Sequence, residues 1–557
     1  MSDSIVLPNS AASKPPGHDI FCTPENSDFA SKVPYQSLSK TDHEVRLLKI
    51  LPDSGSGFVE CELLPAVSLA TVHNQYLALS YCAGSAKNTK PIKVNGANSN
   101  VFANLHHALT SARDYWKTHA ELPELLLWVD QICINQFDLA ERSHQVGFMR
   151  DIYQSAKRTL VCLSTSETDG EGMRWLAELK ERVAQAKIDD ITHFIAEKSE
   201  TEEFAKGLAS FTDIAVSPWW GRAWVVQEFM VSTHVTFLYG WYAMPHGDFS
   251  EIALRCCRAI IRLYAGEYPK TRLTKQPEGS RYSKDFLWLS RSIKNMLIVR
   301  RKESTATDLA RLLLHTRYCQ ASDIRDKIYS VLGLANSGYG IMPDYSPEND
   351  VPKLLVETTR RIIAFEDSLS ILSNLNYLHG ILKDRGQLPS WVIDWVHAPL
   401  PNVAHWDLNQ YWNQYWRPKM RYFTDHKITT STIDASFVEV THPERPEILT
   451  TALRVWAILL DTSLQLIENG SSKVYRGSQH YMISSWRPVQ SDHELWILCG
   501  AREPFLLTRY SYGHRLLFPV KVINAVVEDG MIEFPQLMDD QGKYDTSKMD
   551  WKRITIF

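Results

Sequence analysis

The chain has 557 residues, 44% of them hydrophobic, with 60 basic and 64 acidic side chains and a formal net charge of −4. That length suggests roughly three or four domains, and the near-neutral balance argues against the basic face of a dedicated nucleic-acid binder. No apolar run approaches the ~20 residues that span a bilayer, and the N-terminus lacks a signal peptide's charged start and long apolar core, so a cytoplasmic protein without a membrane span is expected.

Residues 1–41, rich in Ser, Pro, Asn and Asp, read as a flexible N-terminal arm. EVRLLKIL (44–51) and FVECELLPA (58–66) read as strands joined by an Asp-Ser-Gly-Ser-Gly turn. QYLALSYCAG (75–84) is a strand ending at a glycine, and IKVNG (92–96) is a short strand with a turn. Leu105, Leu109, Ala112 and Trp116 recur at helical spacing. LLLWV (125–129) is a continuous apolar run, as in a strand buried on both faces. A capping box at Asp138 and Glu141 then opens a helix, with Leu139, Val146, Met149, Tyr153 and Ala156 as its buried stripe. TLVCL (159–163) is the next strand.

Residues 165–217 turn polar and charged, which reads as a helical insertion or lid, with a plain solvated surface as the blander alternative. PWWGRAWVVQEFMV (218–231) reads as a helix begun near Pro218, and VTFLYG (235–240) as a strand. Strand and helix thus alternate over 75–240, the pattern of a parallel sheet covered on both faces. The expected organisation is an α/β domain over 42–245 with a flavodoxin-like or TIR-like parallel sheet, a mainly helical region over 246–400 and a β-rich domain over 401–557.

Three segments carry a resemblance. YLALSYCAG is similar to the first motif of the fungal heterokaryon-incompatibility (HET) domain family, with Ala83 where that family usually has Trp. LWVDQICINQ, followed by ERSHQVGFMRDIYQSA, resembles the second motif, and PWWGRAWVVQEF the third. EVRLLKIL, SDIRDKIYSVLGLA (322–335), IMPDYS (341–346), LPSWVIDW (388–395), ELWILCGAREPFLL and VVEDGMIEF extend the likeness over nearly the whole chain. The resemblance implies a filamentous-fungal protein of non-self recognition and regulated cell death, with an incompatibility partner protein.

The same motifs are colinear with those of Toll/interleukin-1 receptor (TIR) domains, some of which hydrolyse NAD at the nicotinamide–ribose bond with a helix-borne glutamate. Glu228 matches that glutamate, which implies a catalytic role for it, NAD as substrate with no resident cofactor, and activation by self-association. A fixed carboxylate suits an oxocarbenium-like transition state. Trp224 or Trp220 could stack on a base and Arg222 could pair with a phosphate. Ser80, Tyr81 and Asp130 stand at strand ends, where α/β sheets bind ligands.

Blander readings stand beside these. Glu228 could simply pair within a helix, the tryptophans could be core, and Asn135 could fix its loop as an Asx turn. The motif surface could then be a non-catalytic signalling or protein-interaction module. A further alternative is recruitment of such a chain to another fungal process. Cys133 and His144 would make a hydrolase pair only within hydrogen-bond reach, and packing is favoured for Cys133. The nine cysteines, without a CxxC pair, read as reduced core residues. Asp326 is expected to cap a helix running to Leu334. No HxxxH, HExxH or P-loop is present, so no metal site is expected.

Overall fold

The computed structural model describes residues 23–33, 35–119, 122–198, 201–264, 308–317, 319–375, 388–396, 435–442, 445–469, 473–477, 482–485, 487–501, 504–522 and 550–557. VVEDGMIEF, most of the N-terminal arm and much of the expected helical region lie outside these residues. The described chain divides into two compact units. One runs to Asn336 and takes in Met342–Ser346; the other comprises Ser337–Ile341 and Pro347–Phe557.

The first unit opens with α1 (Pro24–Lys32), β1 (Glu44–Val45), β2 (Leu48–Ile50), β3 (Glu60–Leu63) and β4 (Val67–Ser68). The motif region follows with β5 (Leu77–Ser80), β6 (Thr89–Val94), β7 (Ala97–Phe102), α2 (Ala103–His119), β8 (Leu125–Trp128), α3 (Asp130–Cys133), α4 (Leu139–Gly147), α5 (Met149–Ser155) and β9 (Arg158–Cys162). Then come α6 (Glu171–Ala184), α7 (Ile188–Lys198), α8 (Glu202–Ala215), α9 (Trp224–Val231), β10 (Val235–Tyr239), β11 (Tyr242–Pro245), α10 (His246–Tyr264), α11 (Leu309–Thr316) and α12 (Asp326–Leu332).

Nine strands form one sheet in the order β11-β10-β9-β5-β8-β2-β3-β6-β7. Its centre, β8-β5-β9-β10, is parallel throughout. Numbered along the chain, those four strands stand in the order 2-1-3-4, as in the flavodoxin class of doubly wound sheets. β5 and β10 are buried at every position, as strands covered on both faces must be.

The whole sheet is mixed, which corrects the expectation of a parallel sheet. β2 enters antiparallel between β8 and β3, and both ends of the sheet are antiparallel hairpins, β6–β7 and β10–β11. Leu48 and Ile50 of β2 are buried, while Lys49 between them meets Glu124 at 2.7 Å and Glu62 at 3.9 Å. The lead-in strand therefore extends the sheet beside β8 and shields that strand's far edge.

Two further expectations change. Residues 24–32, read as part of a flexible arm, form a helix with Thr23 as N-cap and Asn26 and Phe29 buried. The expected single helix after β8 breaks at Phe148 into α4 and α5, and Leu139 is 43% exposed rather than part of the stripe. The polar stretch 165–217 forms helices, as one of its readings had it, and is not the alternative solvated surface. α6, α7 and α8 are amphipathic, and Trp175, Leu176, Ile195, Phe211 and Ile214 share one core with Trp220, Phe237 and Phe249. A charged outer face hid that stripe in the sequence.

The second unit holds α13 (Val351–Glu366) and the strands β12 (Ser436–His442), β13 (Arg445–Asp461), β14 (Gln465–Asn469), β15 (Lys473–Arg476), β16 (Met482–Ser485), β17 (His493–Leu498), β18 (Phe505–Tyr510), β19 (Gly513–Pro519), β20 (Lys521–Val522) and β21 (Lys552–Ile556). The 17-residue β13 pairs with both β17 and β21. Together with β17–β18, β18–β19 and β19–β21, those pairings close a ring of five strands. The β-rich C-terminal region is thus as expected. Among the described residues no helix is long and apolar enough to cross a membrane.

Candidate functional site

β5 and β9 are the strands at which the order of the parallel sheet reverses, and ligands of such sheets bind outside the carboxyl ends there. The carboxyl end of β5 is Ser80-Tyr81, and that of its neighbour β8 leads through Val129 into Asp130. Between β9 and β10 the chain returns through Ser217–Glu228. Ser217 donates its hydroxyl to Leu163 O at 2.6 Å and accepts from Trp219 N, which starts a short 3-10 turn, Pro218–Gly221, beside the end of β9. Gly221 and Ala223 then pair with Gln320 in a short backbone bridge, at 2.6 and 2.9 Å, so the link carrying Arg222 is pinned on its outer side.

The third motif is therefore a turn, a pinned link and the short helix α9, not one helix from Pro218. This break matters because it aims Trp219 and Glu228 at the same strand end. Ser80 donates its hydroxyl to Glu228 Oε2, and Trp219 Nε1 donates to Ser80 Oγ at 2.8 Å. Tyr153 adds a further hydrogen bond to the Glu228 carboxyl. Arg222 donates to Tyr81 O and lies over the Tyr81 ring, Cζ 5.8 Å from its centre. The Tyr81 hydroxyl donates to Asp130 Oδ1 at 3.2 Å. Five expected residues, Ser80, Tyr81, Asp130, Arg222 and Glu228, are brought together.

Glu228 is 2% exposed and Ser80 1%. Burial pushes the Glu228 carboxyl up to about 7, against the nearby Arg222 charge and the Ser80 hydrogen bond, which both favour ionisation, and with Asp130 adding to the rise. Burial alone would lower the Arg222 guanidinium, yet Glu228 and Asp130 hold it above its ordinary value. The Tyr81 phenol is driven well above its usual range by burial and by Asp130, so it stays a neutral donor. The cluster thus sets an arginine cation near two carboxyl groups, one of them raised to about 7 by burial.

The other expected residues lie elsewhere. Trp224 hydrogen-bonds Asp326 on α12, and its helix packs there rather than presenting a stacking surface to the cluster. Trp220 is fully buried, donates to Ile214 O at 2.9 Å and packs on Phe237 and Phe249. It is a core residue, which corrects its reading as a stacking platform. Asp326 does not cap α12. Its side chain accepts from the Tyr345 hydroxyl, while Asp323 Oδ1 takes Arg325 N at 3.0 Å at the start of that helix. Cys133 is fully buried, takes Val129 N at 3.4 Å and has its thiol pushed up to about 12 by burial. His144 instead packs against His43 and Phe148.

Asn135 makes the expected Asx turn, Oδ1 accepting from Phe137 N at 3.2 Å. Asp138 caps α4, but Glu141 does not reach back to it. It accepts instead from Asn135 N at 2.7 Å and grips Arg46 in a two-pronged pair at 2.7 and 2.9 Å. Arg46 also donates to Cys133 O at 3.1 Å, so this buried pair fixes the loop that carries Asp130.

Sequence reasoning gave no site role to Arg46, Trp219 or Tyr153, and saw Gln131 only as one polar residue of the loop after β8. Gln131 Oε1 lies 3.5 Å from the Tyr81 hydroxyl and accepts from Phe102 N at 3.4 Å, linking the cluster to β7. Trp219 was legible only as half of a Trp-Trp pair; nothing local says which indole faces the strand end. Among the described residues no group of three or more His, Cys, Asp or Glu could hold a metal ion.

The cluster spans a recognisable stretch. Residues 76–228 match the profile of the heterokaryon incompatibility protein (HET) family, a span that begins at Tyr76 beside β5 and ends on Glu228. Over 367 residues the chain is 28% identical to heterokaryon incompatibility protein 6, OR allele, of Neurospora crassa, covering 58% of this chain and 53% of that protein. The chain thus spans about half the length of that relative. No solved structure matches. Residues 76–228 thus match the HET family, and a longer stretch of the chain is similar to a heterokaryon incompatibility protein.

Proposed function

We propose that this protein acts in fungal heterokaryon incompatibility, and that its HET domain hydrolyses NAD at the nicotinamide–ribose bond with Glu228 as the catalytic carboxylate. The observation that carries the reading is the position of Glu228. It stands at the topological switch point of a doubly wound sheet, bonded to Ser80 at the end of β5 and beside Arg222. In the reaction the N-glycosidic bond breaks, nicotinamide leaves as a neutral group with the bonding electrons, and water adds to the ribose carbon and gives up a proton to solvent. The ionised Glu228 stabilises the positive charge that builds on the ribose, and Ser80 orients it. Arg222 is the residue for a substrate phosphate, and Asp130 lies at the neighbouring strand end, within reach of the Tyr81 hydroxyl. A carboxyl poised near 7 makes the rate rise with pH through neutrality, because only the anion serves.

A second reading has its own support. The carboxyl is closed off at 2% exposure, with Trp219 and Ser80 packed against it. Such packing suits a non-catalytic interaction module whose buried polar cluster shapes the motif surface. Incubation of the purified protein with NAD, with product analysis across pH 6–9, separates the two. NAD loss in the wild type that disappears in Glu228→Gln supports hydrolysis. No turnover in the wild type, with toxicity on overexpression surviving Glu228→Gln, refutes it in favour of the module.

A further inference from the structure

The far end of the nine-stranded sheet poses a separate problem. Among the described residues β7 is an end strand, paired only to β6 in the sheet order. Its six residues, Ala-Asn-Ser-Asn-Val-Phe, include no charge and no proline. Exposed edge strands normally carry a lysine, a proline or a bulge that prevents pairing with another chain. The opposite end strand, β11, is shorter, at four residues, and closes on Pro245. β7 has no such guard of its own, and its backbone is blocked by two side-chain amides instead.

Asn26 of α1 reproduces the hydrogen bonds of a missing strand. Its Oδ1 accepts from Asn100 N at 2.7 Å, and its Nδ2 donates to Asn100 O at 3.0 Å. Both outward-facing backbone groups of Asn100 are thereby occupied by one carboxamide, as a peptide group would occupy them. Ser99 Oγ donates to the same Asn26 Oδ1 at 3.2 Å, and Glu25 Oε2 accepts from Asn100 Nδ2 at 3.1 Å. Two residues along, the outward N–H of Phe102 is taken by Gln131 Oε1. Asn98, on the same side of the strand as Asn100 and Phe102, is exposed.

The apolar hold of α1 on this edge is small. The helix has nine residues, and only Asn26 and Phe29 are buried. Phe29 meets Tyr35 edge-on at 6.2 Å. An open crevice of about 370 Å³, counting the solvent space in its mouth, runs beside the strand between α1 and the Gln131–Phe137 loop, where Phe137 is 54% exposed.

We propose that α1 is an autoinhibitory plug, and that its release lets β7 pair antiparallel with β7 of a second copy of this chain. The occupant is a second copy because the freed edge is complementary to itself. An antiparallel pair centred on Asn100 is two-fold symmetric, so each Asn100 receives from the other the two bonds Asn26 now makes, and no like charges face each other. Gln131 gives up its bond to Phe102 N in the process. The inference does not rest on any chemistry at Glu228.

The test is the mass in solution of the full chain, by sedimentation or light scattering over a concentration series. The wild type is expected at its monomer mass of 63.8 kDa. Asn26→Ala with Phe29→Ala frees the helix and is expected to double the mass as concentration rises. Asn26→Asp keeps the shape but sets a carboxylate oxygen against Asn100 O, and is expected to do the same at higher concentration. Adding Asn98→Pro to the double variant removes an outward N–H from the edge without touching the pairing to β6, and should restore the monomer. The inference fails if the wild type associates as readily as the released variants. It fails equally if Asn26→Asp, with an unchanged circular dichroism spectrum, stays monomeric, or if Asn98→Pro leaves the association intact.

Discussion

Glu228→Gln tests the electrostatics of the cluster without reference to any substrate. Burial carries the Glu228 carboxyl from the ordinary 4.5 to about 7 in the folded state. A group raised in the folded state contributes stability that is fully present below the unfolded value of 4.5 and is lost as pH rises through about 7. A difference of roughly 2.5 units at 1.36 kcal/mol each is about 3 kcal/mol. The wild type should therefore lose about 3 kcal/mol of stability between pH 4.5 and pH 8 from this one residue. The amide of the variant does not titrate, and its carbonyl oxygen still accepts from Ser80. Whatever constant offset the amide brings, the stability of Glu228→Gln relative to wild type should climb by about 3 kcal/mol over that range. Urea unfolding of both proteins at matched pH values measures the difference directly, with other titrating groups cancelling between them. A difference that does not change with pH, or one in which Glu228→Gln loses stability relative to wild type towards pH 8, would refute the account of Glu228 as a carboxyl strained by burial.

Three other substitutions probe what holds the cluster in place. Ser80→Ala leaves both the Glu228 carboxyl and the Trp219 indole without their shared partner, and should cost about 1–3 kcal/mol in urea unfolding; it should also raise the Glu228 carboxyl further, moving any pH-dependent signal of Glu228 upward. Glu141→Ala strands the Arg46 guanidinium, which is 3% exposed, and should cost about 3–5 kcal/mol, while Arg46→Met with Glu141→Met together should cost much less. Gly84→Ala puts a side chain at φ +83°, with the new Cβ 2.6 Å from Asn104 Nδ2. Because Asn104 Nδ2 donates to Cys82 O at 2.8 Å, the change should disturb the turn after β5 and cost about 1–3 kcal/mol by thermal unfolding.

Much of the first unit was legible from local pattern. Continuous apolar runs marked β5, β8, β9 and β10 because a strand covered on both faces needs apolar side chains on both. Asp138 announced the start of α4 because an N-cap is a contact between near neighbours. Ser80, Tyr81 and Asp130 were recognisable as strand-end residues for the same local reason. The helices α6 to α8 were legible as an insertion but their docking was not, because their polar faces dominate the composition and the stripe that docks them becomes meaningful only against α10 and the sheet. The helix α1 was missed because its docking depends on Asn26, whose partner lies 74 residues away.

The residues of this sequence, taken alone, pointed to a strand closing near Ser80 and Tyr81, another just before Asp130, and a helix carrying Glu228. Tertiary structure decided what those ends face. Ser80 and Glu228 are 148 residues apart, and only the insertion of β5 between β8 and β9 puts them in contact. Whether the carboxyl is ionised at neutral pH was likewise not a property of any local pattern. It follows from how completely the fold removes water from the carboxyl and how closely it brings Arg222 and Asp130, and both are set by packing across the whole sheet.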